Sequence, residues 1–195
     1  MEVTFTKTSD RTCSQRVVRD DGASFEMPHL HCNGSLPHDM VHFIVERELG
    51  LNRGFWGSVA AGAVFSGMNM VVGKKPPHAE ARSKAILHEI AKTGSGTDAE
   101  CIAAKLFTLM QKKLEGDWQA ARSILAATWR PNKPSRGPLT PEELRRVCEE
   151  LREAERQWGT LALHQSMILN WPTKKIERET ARPVAAFGDS WVSSR

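Results

Sequence analysis

The side chains best suited to chemistry in this sequence are the histidines and carboxylates between positions 29 and 46. His38 and His42 are four residues apart, and Asp39 and Glu46 lie close by. Neutral imidazole is a common protein ligand for zinc, iron, nickel and copper, and catalytic zinc sites typically combine three protein ligands with a water. The pattern therefore predicts a divalent-metal or acid–base site in which His38 and His42 are two of the ligands.

The third ligand of such a site could come from just upstream or from the same helix. His29 and His31 stand two residues apart in a strand-like stretch, so their side chains would share one face. Either of them, or Glu46, could complete the metal site. The cofactor expected here is a divalent metal ion, with zinc as one candidate. A bound ion of this kind lowers the pKa of its water to about 7, and either Asp39 or Glu46 could then act as general base. The reaction predicted by this hypothesis is metal-dependent hydrolysis.

The same residues also allow a structural interpretation. His38 could satisfy backbone groups at a helix N-terminus, Asp39 could offset the helix dipole, and His42 could pair with Glu46 one turn later. Cys32 is adjacent to His31, but neighbouring side chains do not easily meet at one point, so a core or ligand thiol is favoured over a nucleophile. On this interpretation the protein is a non-enzymatic helical interaction protein, either oligomerising or acting as an adaptor.

Two motifs resemble known metal-binding families. The segment His38-Asp-Met-Val-His42 is similar to the HExxH helix of zinc metallopeptidases, with Asp39 where the glutamate general base stands. This resemblance implies a zinc peptidase, with Glu46 as a further acidic ligand.

The doublet His38-Asp39 also resembles the metal-binding doublet of HD-type phosphohydrolases, which are mostly helical. That resemblance implies an additional aspartate ligand well downstream. Asp98 and Asp117 are the candidates for this position.

The element that must position these residues is a helix with clear boundaries. Pro37 suits a first helical turn, Ser35 or Leu36 can cap it, and Gly50 supplies a stop. The pattern predicts a helix over about Pro37–Leu49, with both histidines on one stripe at roughly 100° per residue.

The sequence pattern of residues 1–32 predicts a β-hairpin or small antiparallel sheet. Val3–Thr8 alternates apolar and polar residues, and the segments Cys13–Arg19 and Ala23–Met27 flank the turn at 20–22. Because an isolated hairpin is marginal in water, these strands should pack on a helix, and the histidine helix is the nearest in sequence.

Residues 36–130 are expected to form a helical core. Its predicted centre is a helix over Phe55–Val72, which is apolar nearly all round and rich in small residues. A capping box at Thr97–Glu100 predicts the start of another helix.

The sequence pattern of residues 139–170 predicts one long helix. Thr140-Pro-Glu-Glu143 opens it, and Gly159-Thr160 is the place where it would break if it is not continuous. Apolar side chains follow at helical spacing, and we call them the seam: Leu144, Val147, Leu151, Ala154, Trp158, Leu161, Gln165 and Ile168. A seam of this length needs a partner helix, which could belong to the same chain, to a second copy or to another protein.

Together these elements predict a mostly α, α+β fold. One globular domain would span 1–170, with a linker at Asn132–Pro138 inside it and a flexible C-terminal tail at 171–195.

The composition of the chain limits which partners and which cellular compartment we expect. The chain has 27 Lys and Arg against 23 Asp and Glu, a formal net charge of +4, but the basic residues are scattered, so we do not expect nucleic acid as a partner. The four cysteines are far apart without a CxxC pair, which favours free thiols in a reducing compartment. The N-terminus lacks the features of a secretory signal, and we expect a cytoplasmic protein with no membrane association.

Overall fold

The computed structural model describes residues 1–32, 36–72, 77–114, 116–126 and 139–172. Within them lies an antiparallel sheet with the order β4-β3-β2-β1-β5, made of β1 (Glu2–Lys7), β2 (Thr12–Val18), β3 (Ser24–His31), β4 (Asn69–Val72) and β5 (Ser166–Asn170). The helices are α1 (His38–Leu49), α2 (Phe55–Ala61), α3 (Ala79–Thr93), α4 (Ser95–Gln111), α5 (Trp118–Ala126) and α6 (Pro141–Thr160). The predicted mostly helical α+β fold, with its N-terminal sheet packed on helices, is confirmed.

The first strands separate a buried face of the sheet from an exposed face. In β1 the alternate residues Val3 and Phe5 are fully buried, and in β2 the buried residues are Cys13, Gln15 and Val17. This period of two is the one that the N-terminal sequence predicts. It places Gln15, a polar residue, among apolar neighbours on the side that faces the helices.

Helix α1 occupies the centre of the helical layer, where it packs against both α4 and α6. The ring of Phe43 on α1 lies 5.4 Å from that of Trp56 on α2 and 5.5 Å from that of Trp171, which follows β5. Trp56 in turn contacts Phe5 on β1, with 6.1 Å between ring centroids. These edge-to-face contacts join sheet and helices in one core and fix the position of α1.

The helix predicted over Phe55–Val72 is wrong in its second half. Helix α2 ends at Ala61, and Gly62 then takes a φ of 118°, a conformation that glycine adopts readily. The chain turns, and Asn69–Val72 pair with β3 as strand β4. An apolar stretch without a polar face suits a sheet as well as a buried helix, so periodicity alone could not separate the two.

The long helix predicted through Asn170 ends at Thr160. Its start is as predicted, because Thr140 and Glu143 form a capping box with Pro141 in the first turn. Beyond Thr160 the chain becomes extended, and Ser166–Asn170 pair with β1 as strand β5. The seam residues on α6 are all buried in the core of this chain: Leu144, Val147, Leu151, Ala154 and Trp158. They therefore offer no surface to a partner helix.

Several predicted features fall at or beyond the limits of the described residues. Trp171, the first residue of the predicted tail, is buried, and its backbone N–H donates to the carbonyl of Met1 at 2.8 Å. Outside the described residues lie 173–195 of the predicted tail, the linker Asn132–Pro138 and the capping residue Ser35. No helix in the described ranges has both the length and the apolar character needed to cross a membrane.

Candidate metal centre

Helix α1 places His38 and His42 one turn apart on the same side. The helix starts directly after Pro37 and ends at Leu49, before Gly50 with its φ of 63°, which confirms the predicted element to within one residue. The imidazole centroids lie 4.5 Å apart. The His42 side chain is 6% exposed whereas that of His38 is 63% exposed, so the pair lies at the edge of the core.

Helix α4 contributes a third residue, Glu100. Because α4 begins at Ser95, the segment Thr97–Glu100 lies inside the helix and is not the predicted start of one. Glu100 Oε1 lies 3.3 Å from His38 Nε2, and Oε2 lies 3.2 Å from His42 Nε2. One ligand atom from each of the three residues lies within 4.8 Å of the other two. Zinc bonds to nitrogen and oxygen measure about 2.0–2.2 Å, so a single ion could be held with small side-chain adjustments.

The opposite edge of each imidazole faces a carboxylate. His38 Nδ1 lies 3.2 Å from Asp39 Oδ1, and His42 Nδ1 lies 3.9 Å from Glu46 Oε1. The first distance allows a hydrogen bond, and the second gives an electrostatic contact only. Metal-binding histidines typically have a carboxylate or carbonyl at the nitrogen that does not bind the metal. The arrangement therefore leaves both Nε2 atoms facing Glu100, as a shared metal ion would require.

The surroundings shift the pKa values of the two histidines in opposite directions. The contact with Asp39 is the main reason that the pKa of His38 is raised, and Glu100 adds to this effect. Burial lowers the pKa of His42, although the negative charge of Glu100 opposes that change. The neutral form of His42, which is the form that binds metal, is therefore favoured, whereas His38 holds its proton more readily and would have to lose it to bind an ion.

Glu46 is fully buried and caps a neighbouring helix. Its carboxylate accepts hydrogen bonds from the backbone N–H groups of Phe55, Trp56 and Gly57 at 2.9, 2.8 and 3.1 Å, in the first turn of α2. Burial raises the pKa of Glu46 to about 7, with the three donors acting in the opposite direction. A Cβ at Gly54 would lie 2.5 Å from Glu46 Oε2, so a glycine is needed there for the close approach. The carboxylate thus ties α2 to α1 directly behind His42.

Asp39 is held by the sheet and by α2. Its Oδ2 accepts a hydrogen bond from Gln15 Nε2 at 3.1 Å, and its backbone carbonyl accepts one from Trp56 Nε1 at 2.7 Å. Gln15 is 1% exposed, and its Oε1 has no hydrogen-bond partner among the described residues. A buried glutamine on an apolar strand face is explained by this contact, which orients Asp39 towards His38.

The structure brings together some of the predicted site residues and adds two others. His38, His42, Asp39 and Glu46 form one cluster on α1, and Glu100 and Gln15 join it from α4 and β2. Glu100 belongs to a segment whose sequence matches a capping box, so nothing in that segment marks it as a ligand. The only sequence signal for Gln15 is its place at a buried position of the strand pattern.

Other predicted ligands do not enter this group. His29 and His31 belong to β3, but their side chains lie outside the described residues, so their role as ligands stays a prediction. Asp98 and Asp117, implied by the HD-type resemblance, are absent from the metal-binding group found among the described residues.

Comparison with known protein families, with curated protein sequences and with solved structures gave no significant match. The site consists of two imidazoles and one carboxylate, contributed by two packed helices and open to solvent on one side.

Proposed function

We propose that the protein is a metal-dependent hydrolase whose divalent ion is held by His38, His42 and Glu100. The observation that carries this proposal is the position of the Glu100 carboxylate, which has one oxygen close to each Nε2 atom. Two imidazole nitrogens and one carboxylate oxygen are a donor set of catalytic zinc sites and also of non-haem iron sites. Zinc is the ion that we propose, because it has no redox chemistry and hydrolysis requires none.

We propose a catalytic site and not a structural one because of the number of protein ligands and the exposure of their side chains. Structural zinc sites are closed by four protein ligands, whereas three ligands leave a position for water. The side chains of His38 and Glu100 are 63% and 55% exposed, which gives a substrate access from solvent. When bound in such a site, a divalent ion supplies an activated water at neutral pH.

We assign a positioning role to each of the two carboxylates of α1. Asp39 positions His38, because its Oδ1 lies at the Nδ1 edge of that ring, on the side away from Glu100, and its Oδ2 accepts a hydrogen bond from Gln15. This placement does not support the general-base role that the sequence suggests for Asp39. Glu46 is committed to three backbone donors and has no exposed surface, so we assign it the positioning of His42.

The resemblance to the HExxH helix supports this arrangement more than the HD-type resemblance does. In the HD doublet the aspartate itself binds metal, whereas Asp39 contacts the Nδ1 edge of His38, away from Glu100. A glutamate from a second helix as third ligand, Glu100, is compatible with the HExxH type of site. The alternative hypothesis of an interaction protein has lost its main support, because the α6 part of the seam is buried.

The test combines metal analysis with a hydrolysis assay on tag-free protein. After loading with zinc and dialysis, we expect about one zinc per chain in the wild type and little in His42→Ala or Glu100→Gln. Matched controls are His88→Ala on α3 and Glu149→Gln on α6, both at exposed positions. Peptide, carboxylic ester and phosphoester substrates are then compared with and without zinc. Absence of bound zinc would disprove the site, and stoichiometric zinc without hydrolysis of any substrate would disprove the reaction.

A further inference from the structure

A second group of reactive side chains lies on the sheet beside Gln15: the thiols of Cys13 and Cys32. Cys13 on β2 is paired with Leu30 on β3, and Cys32 stands two residues beyond Leu30. The backbone N–H of Cys32 donates to the carbonyl of Arg11 at 2.7 Å, so the pairing of the two segments continues past the end of β3. Because side chains two residues apart on a strand share a face, the two cysteines are diagonal neighbours.

The two sulfur atoms are in direct contact. Their Sγ atoms lie 2.9 Å apart, and both residues are buried, at 0% and 3% exposure. The other cysteines, Cys101 on α4 and Cys148 on α6, belong to different helices. The sulfur atoms of the first pair, at 2.9 Å, are within about 1 Å of the S–S bond length of about 2.0 Å.

We propose that Cys13 and Cys32 form a dithiol that a peroxide converts to a disulfide. This inference concerns residues outside the proposed metal ligands, and it does not depend on metal binding or on hydrolysis. It assigns to the protein a two-electron redox site within its core.

The reaction balances with hydrogen peroxide as the oxidant. The thiolate of one cysteine attacks a peroxide oxygen, the O–O bond breaks, and the departing hydroxide takes up the thiol proton to become water. The second thiolate then attacks the sulfur of the resulting sulfenic acid. The S–S bond forms, the S–O bond breaks, and a second water leaves. Two thiols lose two hydrogen atoms in total, and one peroxide is reduced to two waters.

The surroundings of the thiols determine how fast this reaction proceeds. Burial raises the pKa of both Cys13 and Cys32, and the nearby Asp39 carboxylate acts in the same direction. At Cys32 the hydrogen bond with Cys13 and, to a smaller extent, the positive charge of Lys7 lower the pKa and partly offset this effect, whereas at Cys13 the contact with Cys32 adds to it. We therefore assign Cys32 as the first thiolate to react. The oxidant must be small enough to enter the core, so a peroxide should act more readily than a bulky disulfide reagent.

The experiment uses the full chain, fully reduced and then exposed to hydrogen peroxide. After removal of the peroxide, free thiols are alkylated in denaturant, and intact mass and peptide maps are recorded. We expect two of the four cysteines to escape alkylation, a mass lower by two hydrogen atoms before alkylation, and one peptide that links Cys13 to Cys32. Because the disulfide closes the loop between positions 13 and 32, the melting temperature should rise by roughly 6–12 °C.

Two variants supply the controls. Cys148→Ser removes another buried cysteine and should leave the linked peptide unchanged, whereas Cys13→Ser should abolish both the link and the thermal shift. The peptide map of the wild type decides the question even if a variant does not fold. Four alkylated thiols after a treatment that fully oxidises a free thiol in solution, or a link between any other pair, would overturn the proposal.

Discussion

Replacing Glu46 with alanine tests how the helix of the candidate site is fixed to its neighbour. The Glu46 carboxylate accepts three backbone hydrogen bonds from the first turn of α2. In Glu46→Ala these buried donors lose their partner. An unsatisfied buried donor costs about 1–3 kcal/mol, so three of them cost about 3 kcal/mol even at the lower limit. The lower limit is appropriate, because removing the carboxylate also removes the cost of burying its charge.

The free energy of unfolding should therefore fall by about 3 kcal/mol, and the melting temperature by roughly 6–12 °C for a chain of this size. Urea denaturation of the metal-free protein at about pH 7 measures the change. At higher pH the loss should be smaller, because the raised pKa of Glu46 means that its full ionisation costs stability in the folded protein. Glu149→Ala makes the same substitution at an exposed position of α6 and should change stability by less than about 0.5 kcal/mol. A loss below about 1 kcal/mol for Glu46→Ala would refute the assignment of Glu46 as the residue that caps α2.

Three further predictions concern the metal centre. At a zinc concentration about 100 times the dissociation constant, the free energy of unfolding of the wild type should rise by about 2.7 kcal/mol, which corresponds to roughly 5–11 °C in melting temperature. If the zinc affinity of His42→Ala is about 100-fold lower, zinc should raise the unfolding free energy of this variant by less than about 0.5 kcal/mol over its metal-free form. A stabilisation as large as that of the wild type would contradict the assignment of His42 as a ligand. Asp39→Asn should weaken zinc binding by roughly 10–100-fold in a titration against a chelating dye, and an unchanged dissociation constant would exclude its positioning role. Because the pKa of His38 is raised, zinc affinity should fall as the pH decreases through that raised pKa, at a higher pH than for an ordinary imidazole. In His38→Gln this proton-linked step should vanish; its persistence would mean that another group controls the pH dependence.

The parts of the site that local sequence determines could be predicted. Helix α1 has a proline at its start and a glycine at its end, and both act within a few residues of the helix they limit. The four-residue spacing of His38 and His42 then dictates that they share a face. For the same reason the start of α6 at Thr140 could be predicted from its capping box.

The parts that depend on distant contacts could not be predicted. Glu100 reaches the histidines only because α4 packs against α1, and no local pattern marks that contact. Strand β5 continues the apolar spacing of α6 by coincidence, and it is extended because its partner is β1, at the opposite end of the sequence. Pairing across such a separation is decided by the sheet and not by the propensity of residues 166–170.

The measurement that tests the central claim most directly is a crystal structure of the zinc-loaded protein, with diffraction data collected on both sides of the zinc absorption edge. The account predicts one strong anomalous peak bonded to His38 Nε2, His42 Nε2 and a carboxylate oxygen of Glu100, at distances of about 2.0–2.2 Å. Zinc bound instead by other residues, such as His29 and His31, or no peak beside Glu100 in zinc-saturated crystals, would contradict it.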